Sequence, residues 1–104
     1  MTEREVLESI RTRLEESFEI RRMVLFGSRA KGVADADSDW DVLIIAESSL
    51  PFVERQGAAM VALGPHSYPV DLLVYTPEEH SKAAATLGSS VYWAELEGRE
   101  VYAV

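Results

Sequence analysis

Apolar side chains recur at Val6, Leu7, Ile10, Leu14 and Phe18, the i, i+4, i+8 stripe of a helix with one buried face, and predict a helix over Glu3–Phe18. Thr2 and Glu5 fit a capping box at its start. Arg4, Glu8, Arg11, Arg13, Glu15 and Glu16 lie between the apolar positions and read as its solvated face. Met23–Phe26 is a continuous apolar run stopped by Gly27, the pattern of a short buried strand. After a loop of small and charged residues, Asp39–Ala46 predicts a second strand, polar at its start and β-branched in its middle. Pro51–Leu63 suits a helix with proline at N1, weakened by Gly57 and stopped by Gly64-Pro65. Pro69–Tyr75 is a third strand in which Asp71 is the one charge. Thr76-Pro77-Glu78-Glu79 combines an N-cap, an N1 proline and a capping-box glutamate, the strongest boundary signal in the chain. A short helix is expected from Ser89 or Ser90 to Glu97, ended by Gly98, and Val101–Val104 either adds a strand or packs as a tail. The order helix, strand, loop, strand, helix, strand, helix, helix predicts α/β or α+β layering around a small sheet.

Composition narrows this. The 104 residues carry 10 Lys+Arg against 18 Asp+Glu, a net charge of −8. A chain of this length buries roughly 60–65% of its unfolded surface, enough for one core and not two, so residues 1–104 are expected to form a single domain. There is no cysteine, which excludes disulfides, thiolate zinc sites and thiol nucleophiles. No apolar run approaches the roughly 20 residues needed to cross a bilayer. Met1-Thr2-Glu3-Arg4-Glu5 is charged where a signal peptide would be apolar, so a cytoplasmic protein with no membrane association is expected. The acidic balance argues against a broad grip on nucleic acid, and any phosphate must be held locally.

Asp39 and Asp41 stand two apart on a predicted strand, so both carboxylates project from one side while Trp40 points to the other. Carboxylates so close raise each other's pKa unless a cation neutralises them, which makes the pair either solvent-diluted or a site for a hard divalent metal. Asp71 joins them if the third strand lies beside the second. Asp-X-Asp alone is common as a solubilising strand start, and Gly27-Ser28 alone reads as a strand-ending glycine with a serine cap. The compound is more specific: Gly27-Ser28 directly after a strand lets backbone N–H groups approach a phosphate, and Asp39-Trp40-Asp41 follows on the next element. Arg29 and Lys31 supply local positive charge in that loop or are solvent-exposed charges; spacing does not say which turns inward. Ser38 is placed to cap the strand or orient Asp39. His66 and His80 have no ligand-spaced partner, Trp40 and Trp93 read as core or interface aromatics, and Phe26 and Tyr75 as residues lining the sheet.

Phe26-Gly27-Ser28-Arg29-Ala30-Lys31-Gly32, Ser38-Asp39-Trp40-Asp41-Val42-Leu43 and the later Asp71 resemble the signature of the polymerase-β-type nucleotidyltransferase superfamily, and most closely its minimal nucleotidyltransferase (MNT) group, often the antitoxin of a HEPN-domain toxin. Lys31 stands where many relatives have Arg. The resemblance covers most of the chain and implies a polymerase-β-like fold, with a small mixed sheet of three to four strands flanked by helices. It also implies two-metal phosphoryl transfer: Asp39 and Asp41 hold Mg²⁺ against the triphosphate of ATP or another nucleotide, and Asp71 binds the second of two ions and favours deprotonation of an incoming hydroxyl. Gly27 and Ser28, with Arg29, Lys31 and Ser38 around them, form the nucleotide-binding set.

Larger members of the superfamily add a domain to hold the acceptor, which implies here a homo- or hetero-oligomer or a partner that delivers its own hydroxyl. For the MNT group that partner is a HEPN-type toxin, neutralised by transfer of AMP to it. Two rivals remain open from sequence: a non-catalytic nucleotide-binding module that silences a toxin by occlusion, and a catalytic subunit acting on a small-molecule or RNA hydroxyl held by another chain.

Overall fold

The computed structural model describes residues 1–104. Four strands form one sheet: β1 (Glu19–Phe26), β2 (Trp40–Glu47), β3 (Val70–Tyr75) and β4 (Arg99–Ala103), in the order β3-β2-β1-β4. β1 pairs antiparallel with β2 and β4, whereas β2 and β3 run parallel, so the sheet is mixed. The helices are α1 (Glu3–Leu14), α2 (Gly27–Lys31), α3 (Phe52–Leu63), α4 (Pro77–Ala84) and α5 (Ser90–Glu97).

Alternation along the strands divides the core. Met23, Leu25, Val42, Ile44, Ala46, Leu72 and Val74 meet Val6, Ile10 and Leu14 of α1 and Ala59 and Leu63 of α3 on one face. Val24 and Leu43 meet Val91 and Ala94 of α5 on the other, with Phe26, Leu73 and Tyr75 beside them. β2 is buried on both faces over Val42–Ala46, which is why its sequence is an unbroken apolar run. No helix is long and apolar enough to cross a membrane.

Several boundaries differ from the sequence reading. α1 stops at Leu14, not Phe18, because the amides of Ser17 and Phe18 both donate to the Leu14 carbonyl and close the helix there. β1 begins four residues earlier than Met23, since Glu19 and Arg21 face solvent while Ile20 is buried. Pro51 is the N-cap of α3 and not its first helical residue. The C-terminal segment is a strand, β4, on the edge beside β1. Both capping boxes form: Thr2 with Glu5, and Thr76 with Glu79.

The parallel crossover from β2 through α3 to β3 is tied by Arg55, which is 2% exposed. Its guanidinium donates to the carbonyls of Val74 and Leu50 at 3.1 and 2.7 Å and to both carboxylate oxygens of Glu79. Glu79 is also the capping-box residue of α4, so one cation joins α3, the end of β3 and the start of α4. Arg55→Ala removes a buried cation and leaves the Val74 and Leu50 carbonyls without that donor and the half-exposed Glu79 carboxylate without its partner. The expected cost is about 3 kcal/mol of unfolding free energy, read as a lower urea midpoint; an unchanged midpoint would show that the tie is not structural.

Candidate active site

The ends of three strands build the site. β1 finishes at Phe26, whose register partner on β2 is Asp41, whose partner on β3 is Asp71. Directly paired residues share a sheet face, so Phe26, Asp41 and Asp71 lie in one row on the α4/α5 side. Asp39 precedes β2 by one residue and is exposed, as is Asp71, whereas Asp41 is half-buried. The condition set by the sequence, that the third strand lie beside the second, is met.

The electrostatics follow from that row. Burial first, then the charges of Asp71 and Asp39, push the Asp41 carboxyl above its ordinary pKa. The backbone of Gly27 approaches Asp41 closely. Gly27 has φ +71, and a methyl group built on it would fall against the Asp41 carboxylate, with Cγ only 3.1 Å away. Glycine is required there twice, for the left-handed backbone and for the space. The first turn of α2 thus closes over Asp41 with Ser28, half-buried, as its second residue.

The remaining predicted residues are placed as follows. Lys31 forms an ion pair with Glu97 at the end of α5, Nζ to Oε2 2.9 Å. Arg29 does not reach the row of acids: its guanidinium lies 4.1 Å from the centroid of the Trp40 ring, and Nε and Nη2 donate to the Ser38 carbonyl at 3.2 and 2.8 Å. Trp40 points to the opposite face from Asp41 and is buried. The Ser38 hydroxyl is used inside the preceding turn, accepting from the Asp35 amide and donating to its carboxylate, and so shapes the approach to Asp39. Sequence reasoning missed Glu97, the counter-charge of Lys31, whose pairing is long-range and has no local signal, and the role of Asp35, whose side chain accepts from the Asp37 amide and Ser38 hydroxyl in a turn that the Asp-x-Asp-Ser spacing could have indicated.

No three acidic or imidazole side chains are gathered into a ready-made cation nest. The donor set itself, Asp41 with the charges of Asp71 and Asp39 near enough to raise its pKa beside a glycine-cleared turn, has the hard-oxygen chemistry that suits Mg²⁺. The site is open at the sheet end. A cleft of about 440 Å³ lies elsewhere, between α1 and β4.

His80 is not a lone surface histidine: its Nε2 lies 2.6 Å from Glu95 Oε2. Glu95 is held below the usual carboxylate range chiefly by its hydrogen bonds to Arg22, and Arg22 also binds Glu100. This cluster fastens α4 and α5 to β1 and β4 away from the row of acids.

A family model described as a nucleotidyltransferase domain matches residues 7–102. Two crystal structures of mutants of the toxin-antitoxin MntA-HpeT share the fold, at TM-scores of 0.55 and 0.54 and identities of 17% and 19%. The alignments cover 100% of this chain and 75% and 74% of theirs. No curated protein matches the chain. With the family's match running over nearly the whole length and the row of acids at the sheet end, the chain belongs to the nucleotidyltransferase domain family.

Proposed function

We propose that this chain transfers AMP from ATP, with Mg²⁺, to a hydroxyl of a partner protein, and that the partner is the HEPN-type toxin of a toxin–antitoxin pair. The observation that carries the chemistry is the Asp41–Asp71 register pair under Gly27; the fold shared with MntA-HpeT supports the choice of partner. Asp39, Asp41 and Asp71 would hold the Mg²⁺ ions, which when bound neutralise charge on the phosphate oxygens. Gly27 and the Ser28 hydroxyl and amide would take the β- and γ-phosphates. The acceptor oxygen attacks the α-phosphorus, the bond to the bridging oxygen breaks and pyrophosphate leaves; Asp71 favours loss of the hydroxyl proton. A second reading is a non-catalytic module that silences the toxin by occlusion, for which the fold shared with the toxin-antitoxin MntA-HpeT is equal support.

Incubation with ATP labelled at the α-phosphate, Mg²⁺ and the protein encoded beside this one separates the two. Label retained on the partner, and reduced about 100-fold or more by Asp39→Asn or Asp41→Asn, supports transfer. Neutralisation of the toxin with no label at all supports occlusion.

The raised pKa of Asp41 adds a stability signature. Ionising this carboxyl costs more in the folded than in the unfolded chain, so its charge works against folding once the pH passes its folded-state pKa and has no effect below the ordinary carboxylate range. Asp41→Asn is therefore expected to lower transfer while raising Tm at pH 7, with the gain gone near pH 3. A fall in Tm at pH 7 would contradict the crowding of charge at this position.

Lys31 supplies a third measurement. Its pair with Glu97 is about half exposed and competes with any phosphate for the same ammonium. Glu97→Gln is expected to tighten ATP binding about 2- to 5-fold, the range for releasing a surface ion pair, by calorimetry at low salt. Unchanged affinity would place Lys31 outside the nucleotide site.

A further inference from the structure

Arg29 lies in the turn that carries Gly27 and Ser28, yet its guanidinium is spent on the segment around Asp39. Its Nε and Nη2 hold the Ser38 carbonyl, the peptide group immediately before Asp39. The same guanidinium stacks 4.1 Å from the ring centroid of Trp40, the residue immediately after it. Trp40 is in turn fixed by burial to 6% exposure and by its amide, which donates to the Pro69 carbonyl at 2.9 Å. Asp39 is exposed and outside the strand ladder. Without a grip on both flanking residues, its backbone has no partner to fix where its carboxylate stands relative to Asp41.

We propose that Arg29 is a positioning residue that locks Asp39 to the Gly27–Ser28 turn, through the Ser38 carbonyl and the Trp40 ring, and does not itself bind phosphate. A planar fork that satisfies one carbonyl with two donors while stacking on an indole is a task for arginine and not lysine. Because Trp40 faces away from Asp41, the guanidinium reaches its partners only by turning from the row of acids. The consequence for the site is mechanical: the turn that would hold the phosphates and the carboxylate that would hold the metal move as one piece. This functional consequence rests on the nucleotidyltransferase reading, whereas the brace itself does not.

Two measurements on the full chain test the two parts separately. By amide hydrogen exchange, Arg29→Lys is expected to speed exchange of the Trp40 amide about 10-fold or more while Leu43 and Ile44 in the centre of β2 stay protected, the pattern of local opening. Arg29→Gln, which retains a planar donor for the Ser38 carbonyl but no charge, is expected to fall between wild type and Arg29→Lys, and serves if the lysine variant does not fold. Unchanged exchange at Trp40 in both variants overturns the brace whether or not the chain turns over nucleotide. In the labelling assay, the variants are expected to lower kcat about 10-fold with KM for ATP changed less than about 2-fold, since displacing a metal-holding carboxylate acts on the reacting geometry. A raised KM with kcat unchanged would instead make Arg29 a phosphate ligand and overturn the proposal. Absence of labelling by wild type refutes the proposed AMP transfer to the partner protein and leaves the brace to be decided by exchange alone.

Discussion

Parallel pairing of β2 with β3 in the register Asp41↔Asp71 is the constraint on which the site depends. A slip of one residue would send one carboxylate to the opposite face, since strand side chains alternate. The register is set by apolar burial on both sides of the pair: Val42, Ile44, Leu72 and Val74 fill the α1/α3 face, and Leu43 with Leu73 and Tyr75 fills the other. Arg55 then ties the helix of the crossover to the far end of β3. The acids stand at the near end of these strands, where the core stops.

Placing three anions there works against the fold, as the raised pKa of Asp41 records, and the rest of the chain does little to relieve it. The two cations of the adjoining turn are engaged elsewhere, Arg29 with Trp40 and Ser38, Lys31 with Glu97. Arg22 and Arg55 are held in their own carboxylate pairs. A protein carrying a net charge of −8 thus keeps an uncompensated anionic spot, the kind of local stress expected where function opposes stability.

What sequence made legible is what local patterning governs. Thr76-Pro77-Glu78-Glu79 named the start of α4 because every group of a capping box lies within four residues. The run from Val42 to Ala46 named β2 because burial on both faces leaves no alternation. Asp39 and Asp41 were paired by strand period alone, but the arrival of Asp71 needed the strand order, which spacing does not contain. The direction of Arg29 was not legible either: a loop arginine next to a glycine-serine turn has the same sequence whether it faces phosphate or an indole. Lys31 with Glu97, and Arg55 with Val74 and Glu79, are long-range pairings whose partners sit on separate elements. β4 was undecided between strand and tail because its pairing with β1 comes from the other end of the chain.

Gln56 has an effect beyond its own helix. Its side-chain amide donates to the Val74 carbonyl and accepts from the Val74 amide, at 2.8 and 3.1 Å, copying what a neighbouring strand would offer. β3 is an outer strand of the sheet, and an outer strand with vacant backbone groups invites a foreign chain to add itself there. By occupying both groups of Val74, one glutamine gives that border of the sheet a false neighbour, so intermolecular strand addition and the aggregation it seeds are discouraged without a proline, a bulge or a further strand.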